Sequence, residues 1–236
     1  MRKQIPNLIT LLNLFSGCVA LTMAFRGAFA AVVMWVLIAA LLDFFDGMAA
    51  RLLNAHSDIG KELDSLADLV SFGVAPAAAL HVLLRDHLRT AVVPVEVAQL
   101  IPYLAFMIPL FSAYRLAKFN LDERQRNSFL GLPTPANALF WISYCYGIWQ
   151  LTPSDNLLLY LTLVLLLALS FLMVSEVPMF SLKVSKIDIR KNGIQLTLLL
   201  LATLFIAWWG IPGIAWSILT YILLSLLTFR KRRTTS

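Results

Sequence analysis

The chain has 236 residues, of which 60% are hydrophobic and 14% charged, and its mean hydropathy is +0.80. Soluble domains carry about 45–50% apolar and 25% charged residues, so a water-soluble globule is excluded and a polytopic membrane protein is implied. The net charge of +6 does not point to nucleic acid, because the basic residues gather in loops on one side of the apolar runs, beside anionic lipid headgroups.

Residues 1–6 (MRKQIP) form a short basic start. No small-x-small cleavage site follows it, which argues against a signal peptide. Eight membrane helices are predicted, at 8–25, 28–50, 62–84, 95–117, 132–150, 156–174, 194–210 and 212–229. They imply an all-α bundle in a single membrane domain over 1–236. Catalytic helices are expected over about 1–150, further apolar helices over 151–229, and a basic tail at 230–236. The short turns at Arg26-Gly27 and Gly210-Ile211-Pro212 imply antiparallel neighbours. Pro76, Pro102 and Pro109 fall inside spans and are expected to bend them. Cys18 and Cys145 lie in apolar runs with no pairing framework and read as inert packing residues.

An even number of spans puts both termini on one side. Of the 19 basic residues, only Arg26, Arg85 and Arg89 fall on the other. The crowded side is therefore assigned to the cytoplasm, and a bacterial or archaeal inner membrane suits the size of the chain. No internal repeat is visible, which weakens an inverted-repeat transporter.

The polar centre of the chain is Asp43–Asp68. Asp43 and Asp46 are i and i+3 on one predicted helix, and Asp64 and Asp68 are i and i+4 on the next, so each pair shares a face. A turn near Leu53–Ser57, containing His56, lets two antiparallel helices bring the pairs together. Asp at the centre of a membrane helix costs roughly 2.5–3.5 kcal/mol, so four facing lipid would cost on the order of 10–14 kcal/mol. A shared cation and a place near the interface relieve that cost. Converging oxygen ligands without His or Cys suit Mg2+ or Mn2+ rather than zinc. Gly47 and Ala50, almost without side chains, leave room for a flat group against the backbone. Arg51 can clamp phosphate oxygens, and Gly60 opens the second helix, where close backbone approach and free N–H groups suit an anion. Asn7 and Thr10, i and i+3, could face one site together. N-capping by Asn7 and backbone bonding by Thr10 explain their spacing equally well.

Written out, the stretch is Asp43-x2-Asp46-Gly47-x2-Ala50-Arg51-x8-Gly60-x3-Asp64-x3-Asp68. It resembles in full the motif of the CDP-alcohol phosphotransferase family. That resemblance implies the family's membrane fold and transfer of a phosphatidyl or related group from a CDP-linked donor to an alcohol, with two divalent cations, Mg2+ or Mn2+. It implies Asp43, Asp46, Asp64 and Asp68 as metal ligands and Asp68 also as general base. Gly47, Ala50, Arg51 and Gly60 would line the CDP site, with Asn7 and Thr10 near the pyrophosphate. It further implies a homodimer.

The flanks SDIGKELDSLADLVSFGVAPA (57–77), RLAKFN (115–120) and FLGLPTPANA (129–138) are similar to the branch that makes phosphatidylserine. By that resemblance the substrates are CDP-diacylglycerol and L-serine. Arg115, Lys118 and Asn120, at the cytoplasmic end of the fourth span, are candidates for the serine site, with positive-inside anchoring as the plain alternative. A relative using glycerol phosphate or inositol phosphate is a rival, as is a cation or proton transporter built on the Asp cluster.

Overall fold

A computed structural model describes residues 4–55, 57–89, 94–121, 129–151, 156–179 and 193–234. His56, the loop at 122–128 and the polar segment at 180–192 lie outside the described residues. The helices are α1 (Gln4–Phe25), α2 (Phe29–Leu52), α3 (Asp58–Leu88), α4 (Val95–Leu121), α5 (Thr134–Leu151), α6 (Asn156–Val174), α7 (Gly193–Trp209) and α8 (Pro212–Thr234). Five of them, α1 to α4 and α6, are long and apolar enough to cross a membrane, and α7 and α8 add shorter apolar stretches. The chain is an integral membrane helix bundle.

The one departure from all-α among the described residues is an antiparallel pairing of β1 (Phe129–Leu130) with β2 (Pro178–Met179). It ties the approach to α5 to the chain leaving α6. Gly131 turns the backbone there with φ 72°, and its N–H bonds the Val177 carbonyl at 2.9 Å.

The helices reverse the pattern of a soluble protein. On α1, Leu8, Leu11, Leu12 and Phe15 are exposed, and Thr10, Asn13, Ser16, Gly17, Ala20 and Ala24 are buried. Small and polar residues at the seam allow close approach and hydrogen bonds between helices, which drive packing where lipid is the solvent. Ser16 Oγ donates to the Trp35 carbonyl of α2 at 2.8 Å. Cys145 is buried as expected, but Cys18 is exposed on α1 and is not a packing residue.

Two expected bends take the form of changes in helix type. α3 is α-helical over Asp58–Asp68, π-helical over Leu69–Val74, and α-helical again from Ala75. Pro76 has no N–H and would crowd the carbonyl four residues back. The Ala75 N–H bonds the Val70 carbonyl instead, five residues back. α4 contains a 3-10 stretch at Ile101–Phe106 that includes Pro102. Pro109 sits in the first turns of the α-helix that follows, with its Cα 3.3 Å from where a Cβ on Gly73 would lie.

The π turn is clamped by α1 as well. A Cβ on Gly17 would lie 2.7 Å from the Ser71 Cα. Gly17→Ala is therefore expected to force α1 and α3 apart, at about 1–3 kcal/mol, and to lower the Tm of the solubilised protein. An unchanged Tm would mean that the two backbones do not meet there.

Candidate functional site

The α2–α3 connection is built by local chemistry. Asn54 adopts φ 47° at the end of α2, where a left-handed residue lets the last carbonyls find donors. The Ala55 N–H reaches the Ala50 carbonyl at 2.9 Å. Ser57, in extended conformation, caps α3 by accepting the Gly60 N–H at 3.0 Å. Of the two features expected at Gly60, close backbone approach and a free N–H, the structure has the first. Gly60 is the third residue of α3, and its N–H is already used by the cap. Its value is the missing side chain, since a Cβ there would lie 3.0 Å from the Asn7 Oδ1.

α1 packs along α2 and also against the first turns of α3, whereas α2 and those turns make few direct contacts. A cavity of about 580 Å³ opens in this region. Asn7, Thr10, Gly47, Ala50, Arg51 and Gly60 all line it, together with Asp46, Asp64 and Lys61. The structure thus brings the six residues predicted for the nucleotide into one concave surface. Asn7 lies inside α1 rather than ahead of it, so the capping alternative for Asn7 falls. The Thr10 hydroxyl sits between two acceptors, 3.0 Å from the Pro6 carbonyl and 2.7 Å from the Asp46 Oδ2. The hydroxyl has one proton to donate, and the shorter contact is to the carboxylate.

Asp43, Asp64 and Asp68 each offer a carboxylate oxygen, and these oxygens lie within 4.8 Å of one another. Asp46 stands beside the group, held by Thr10 and within electrostatic range of the other three. One oxygen each of Asp64 and Asp68 is buried without a hydrogen-bond partner. Acidic groups gathered this closely inside apolar helices, with buried oxygens unsatisfied, form a donor set that fits a hard divalent cation.

The three residues predicted for serine part company. Arg115 is only 8% exposed, so it is no headgroup anchor. Its Nη1 donates to the Thr134 Oγ1 at 3.0 Å, and its Nε is buried without a partner. It lies within electrostatic range of Asp68 and of Tyr221 on α8. Lys118, by contrast, pairs with Glu176 at 3.6 Å. Asn120 Nδ2 donates to the Ser65 Oγ at 2.9 Å, and its carbonyl accepts from the Lys61 Nζ at 2.8 Å. Lys118 and Asn120 therefore brace α4 against its neighbours. The His81 ring packs at a tilt against those of Tyr103 and Phe106, with centroids 5.2 and 5.5 Å away.

Sequence reading missed Lys61, counted only as a charge facing the cytoplasm, although its place beside Gly60 in the motif was a usable signal. It also missed Asn13, Thr134 and Tyr221. Asn13 was findable as the next step of the Asn7–Thr10 stripe, whereas Thr134 and Tyr221 reach this region only through tertiary packing.

The profile of the CDP-alcohol phosphatidyltransferase family matches residues 3–228. A Bacillus subtilis (strain 168) protein named CDP-diacylglycerol–serine O-phosphatidyltransferase is 35% identical over 175 residues, covering 74% of this chain and 89% of that protein. Proteins of the same name from Mycobacterium leprae (strain TN) and Methanocaldococcus jannaschii are 32% and 34% identical. The first alignment covers 74% of this chain and 57% of that relative, and the second covers 60% of each. With its acidic cluster and cavity in place and nearly its whole length matched, the chain belongs to the CDP-alcohol phosphatidyltransferase family.

Proposed function

We propose that this protein transfers the phosphatidyl group of CDP-diacylglycerol to the hydroxyl of L-serine, giving phosphatidylserine and CMP. The observation that carries the reading is a cavity of about 580 Å³, lined by Arg51 and Lys61, that adjoins a cluster of carboxylates with unsatisfied oxygens. Arg51 and Lys61 supply the cavity's positive charge for the pyrophosphate. Gly47 and Ala50 leave the face of α2 bare for the nucleotide, and Gly60 leaves room beside Asn7.

Asp43, Asp46, Asp64 and Asp68 would hold two divalent cations, Mg2+ or Mn2+. When bound, these offset the charge of the pyrophosphate and of the departing CMP. Asp68 takes the serine hydroxyl proton as that oxygen bonds to the lipid-side phosphorus and the bond to CMP breaks. Asp68 does not line the nucleotide cavity, which leaves it available to the acceptor. The excess of basic residues in the loops on the cavity's side supports a cytoplasmic position, at the cell membrane, for the cavity and both termini. The homodimer implied by family resemblance belongs to the same reading.

For the acceptor, Arg115 is a single buried guanidinium near Asp68, while Lys61 lines the nucleotide cavity and Lys118 pairs with Glu176. One cation fits one carboxylate, as serine carries, better than a phosphate dianion. The names of the relatives point the same way. The test is CMP release by purified protein with CDP-diacylglycerol, Mn2+ and a panel of L-serine, glycerol 3-phosphate and inositol phosphate. Serine is expected to be the productive acceptor, and preference for a phosphorylated one would overturn the reading. Arg115→Ala is expected to raise the serine KM by about tenfold or more, since hydrogen bonds to charged groups contribute roughly 1.5–3 kcal/mol. The KM for CDP-diacylglycerol should stay unchanged, and an unchanged serine KM would make Arg115 a structural cation.

A further inference from the structure

Beyond the cavity, the polar stripe of α1 continues inward. Asn7, Thr10 and Asn13 are spaced three residues apart and share a helix face. The first two line the cavity, but Asn13 does not, and it is fully buried. The Ser71 hydroxyl donates to the Asn13 carbonyl at 3.0 Å. That bond fixes this turn of α1 against the π turn that directly follows Asp68. The Asn13 carboxamide lies beside the Asp68 carboxylate. Its Nδ2 faces that carboxylate as a donor, and its Oδ1 is buried without a hydrogen-bond partner, as is the Asp68 Oδ1.

An unsatisfied buried polar group costs about 1–3 kcal/mol, and the interior of a membrane bundle offers little water to relieve it. An apolar side chain would fill the same space at no such cost. The orphaned Asn13 Oδ1 therefore calls for a hydrogen-bond donor from a ligand next to Asp68. Arg115, within electrostatic range of Asp68 from α4, has a buried, unpartnered Nε of its own. Asp68 is thus common to an amide on α1 and a guanidinium on α4.

We infer that Asn13 recognises the amino group of the acceptor, its carboxamide oxygen accepting from the ammonium while Arg115 holds the carboxylate and Asp68 meets the hydroxyl. The inference rests on the serine reading above and extends it. A zwitterionic amino acid would be held at three points, which makes Asn13 a determinant of specificity in a helix otherwise given over to the nucleotide.

The experiment follows phosphatidylserine formation from L-serine by the full chain, with two competitors. These are 3-hydroxypropanoate, which lacks the amino group, and ethanolamine, which lacks the carboxylate. In Asn13→Ala the serine KM should rise about tenfold, a loss of about 1.4 kcal/mol. The inhibition constant of 3-hydroxypropanoate and the KM for CDP-diacylglycerol should not move. Ethanolamine should weaken together with serine. Asn13→Ser, uncharged and still able to accept from an ammonium, should retain the preference for serine over 3-hydroxypropanoate. It also keeps the test open if the alanine variant fails to fold. Equal weakening of serine and 3-hydroxypropanoate, or no change in either, would overturn the role of Asn13. Failure of the unmodified protein to make phosphatidylserine would instead overturn the serine reading itself.

Discussion

Asp68→Asn is expected to lower CMP release from CDP-diacylglycerol and serine by about 10³-fold or more, within the range that general bases contribute. The substitution preserves size and shape but removes the site that takes the hydroxyl proton. It also weakens one corner of the carboxylate cluster, so both losses act in the same direction. CDP-diacylglycerol binding should change far less, because Asp68 lies outside the cavity lined by Gly47, Arg51 and Gly60. Steady-state rates together with a direct binding assay for the CDP-lipid separate the two. Turnover near that of the unmodified protein would mean that another group, or solvent, takes the proton.

The second large effect concerns the metal. Stripping divalent cations with EDTA is expected to abolish turnover, and added Mg2+ or Mn2+ to restore it. The reason lies in the crowding of like charges. Asp43, Asp64 and Asp68 bring oxygens within 4.8 Å inside a membrane bundle, with Asp46 alongside. Close carboxylates in low dielectric repel strongly unless protonated or bridged by a cation. A set held in that geometry by three helices is arranged for the cation. Full activity in chelated protein would leave the cluster as a proton relay and remove the basis for a metal-assisted transfer.

How much of this was legible in the sequence follows from the range of each interaction. The motif residues are local: their spacing on two helices and one turn fixes which faces they occupy, so Gly47, Ala50, Arg51 and Gly60 were readable as a set, whereas Asn7 and Thr10 on α1 were joined to them only by the family resemblance. The spans were legible too, because membrane helices satisfy their own backbone and advertise themselves by hydropathy. Their ends were less so. α1 begins at Gln4 and α3 at Asp58, ahead of the apolar runs, because polar first turns extend beyond the hydrophobic stretch. The helix-type changes at Leu69–Val74 and Ile101–Phe106 were visible only as prolines. Arg115 and Lys118 looked alike in sequence, as basic residues near the end of one span. Only packing separates them, with Arg115 turned inward to Thr134 and Lys118 outward to Glu176. Tyr221 depended on the docking of α8 against α5, a contact between segments with no shared local signal.

The most direct test is to count manganese. Purified protein titrated with Mn2+ in the presence of CDP-diacylglycerol, and followed by electron paramagnetic resonance, is predicted to bind two ions per chain. The combined substitution of Asp43 and Asp64 by Asn is predicted to bind none. Retention of both ions in that variant, or no manganese in the unmodified protein, would contradict the claim that these carboxylates exist to hold cations against a nucleotide-activated lipid.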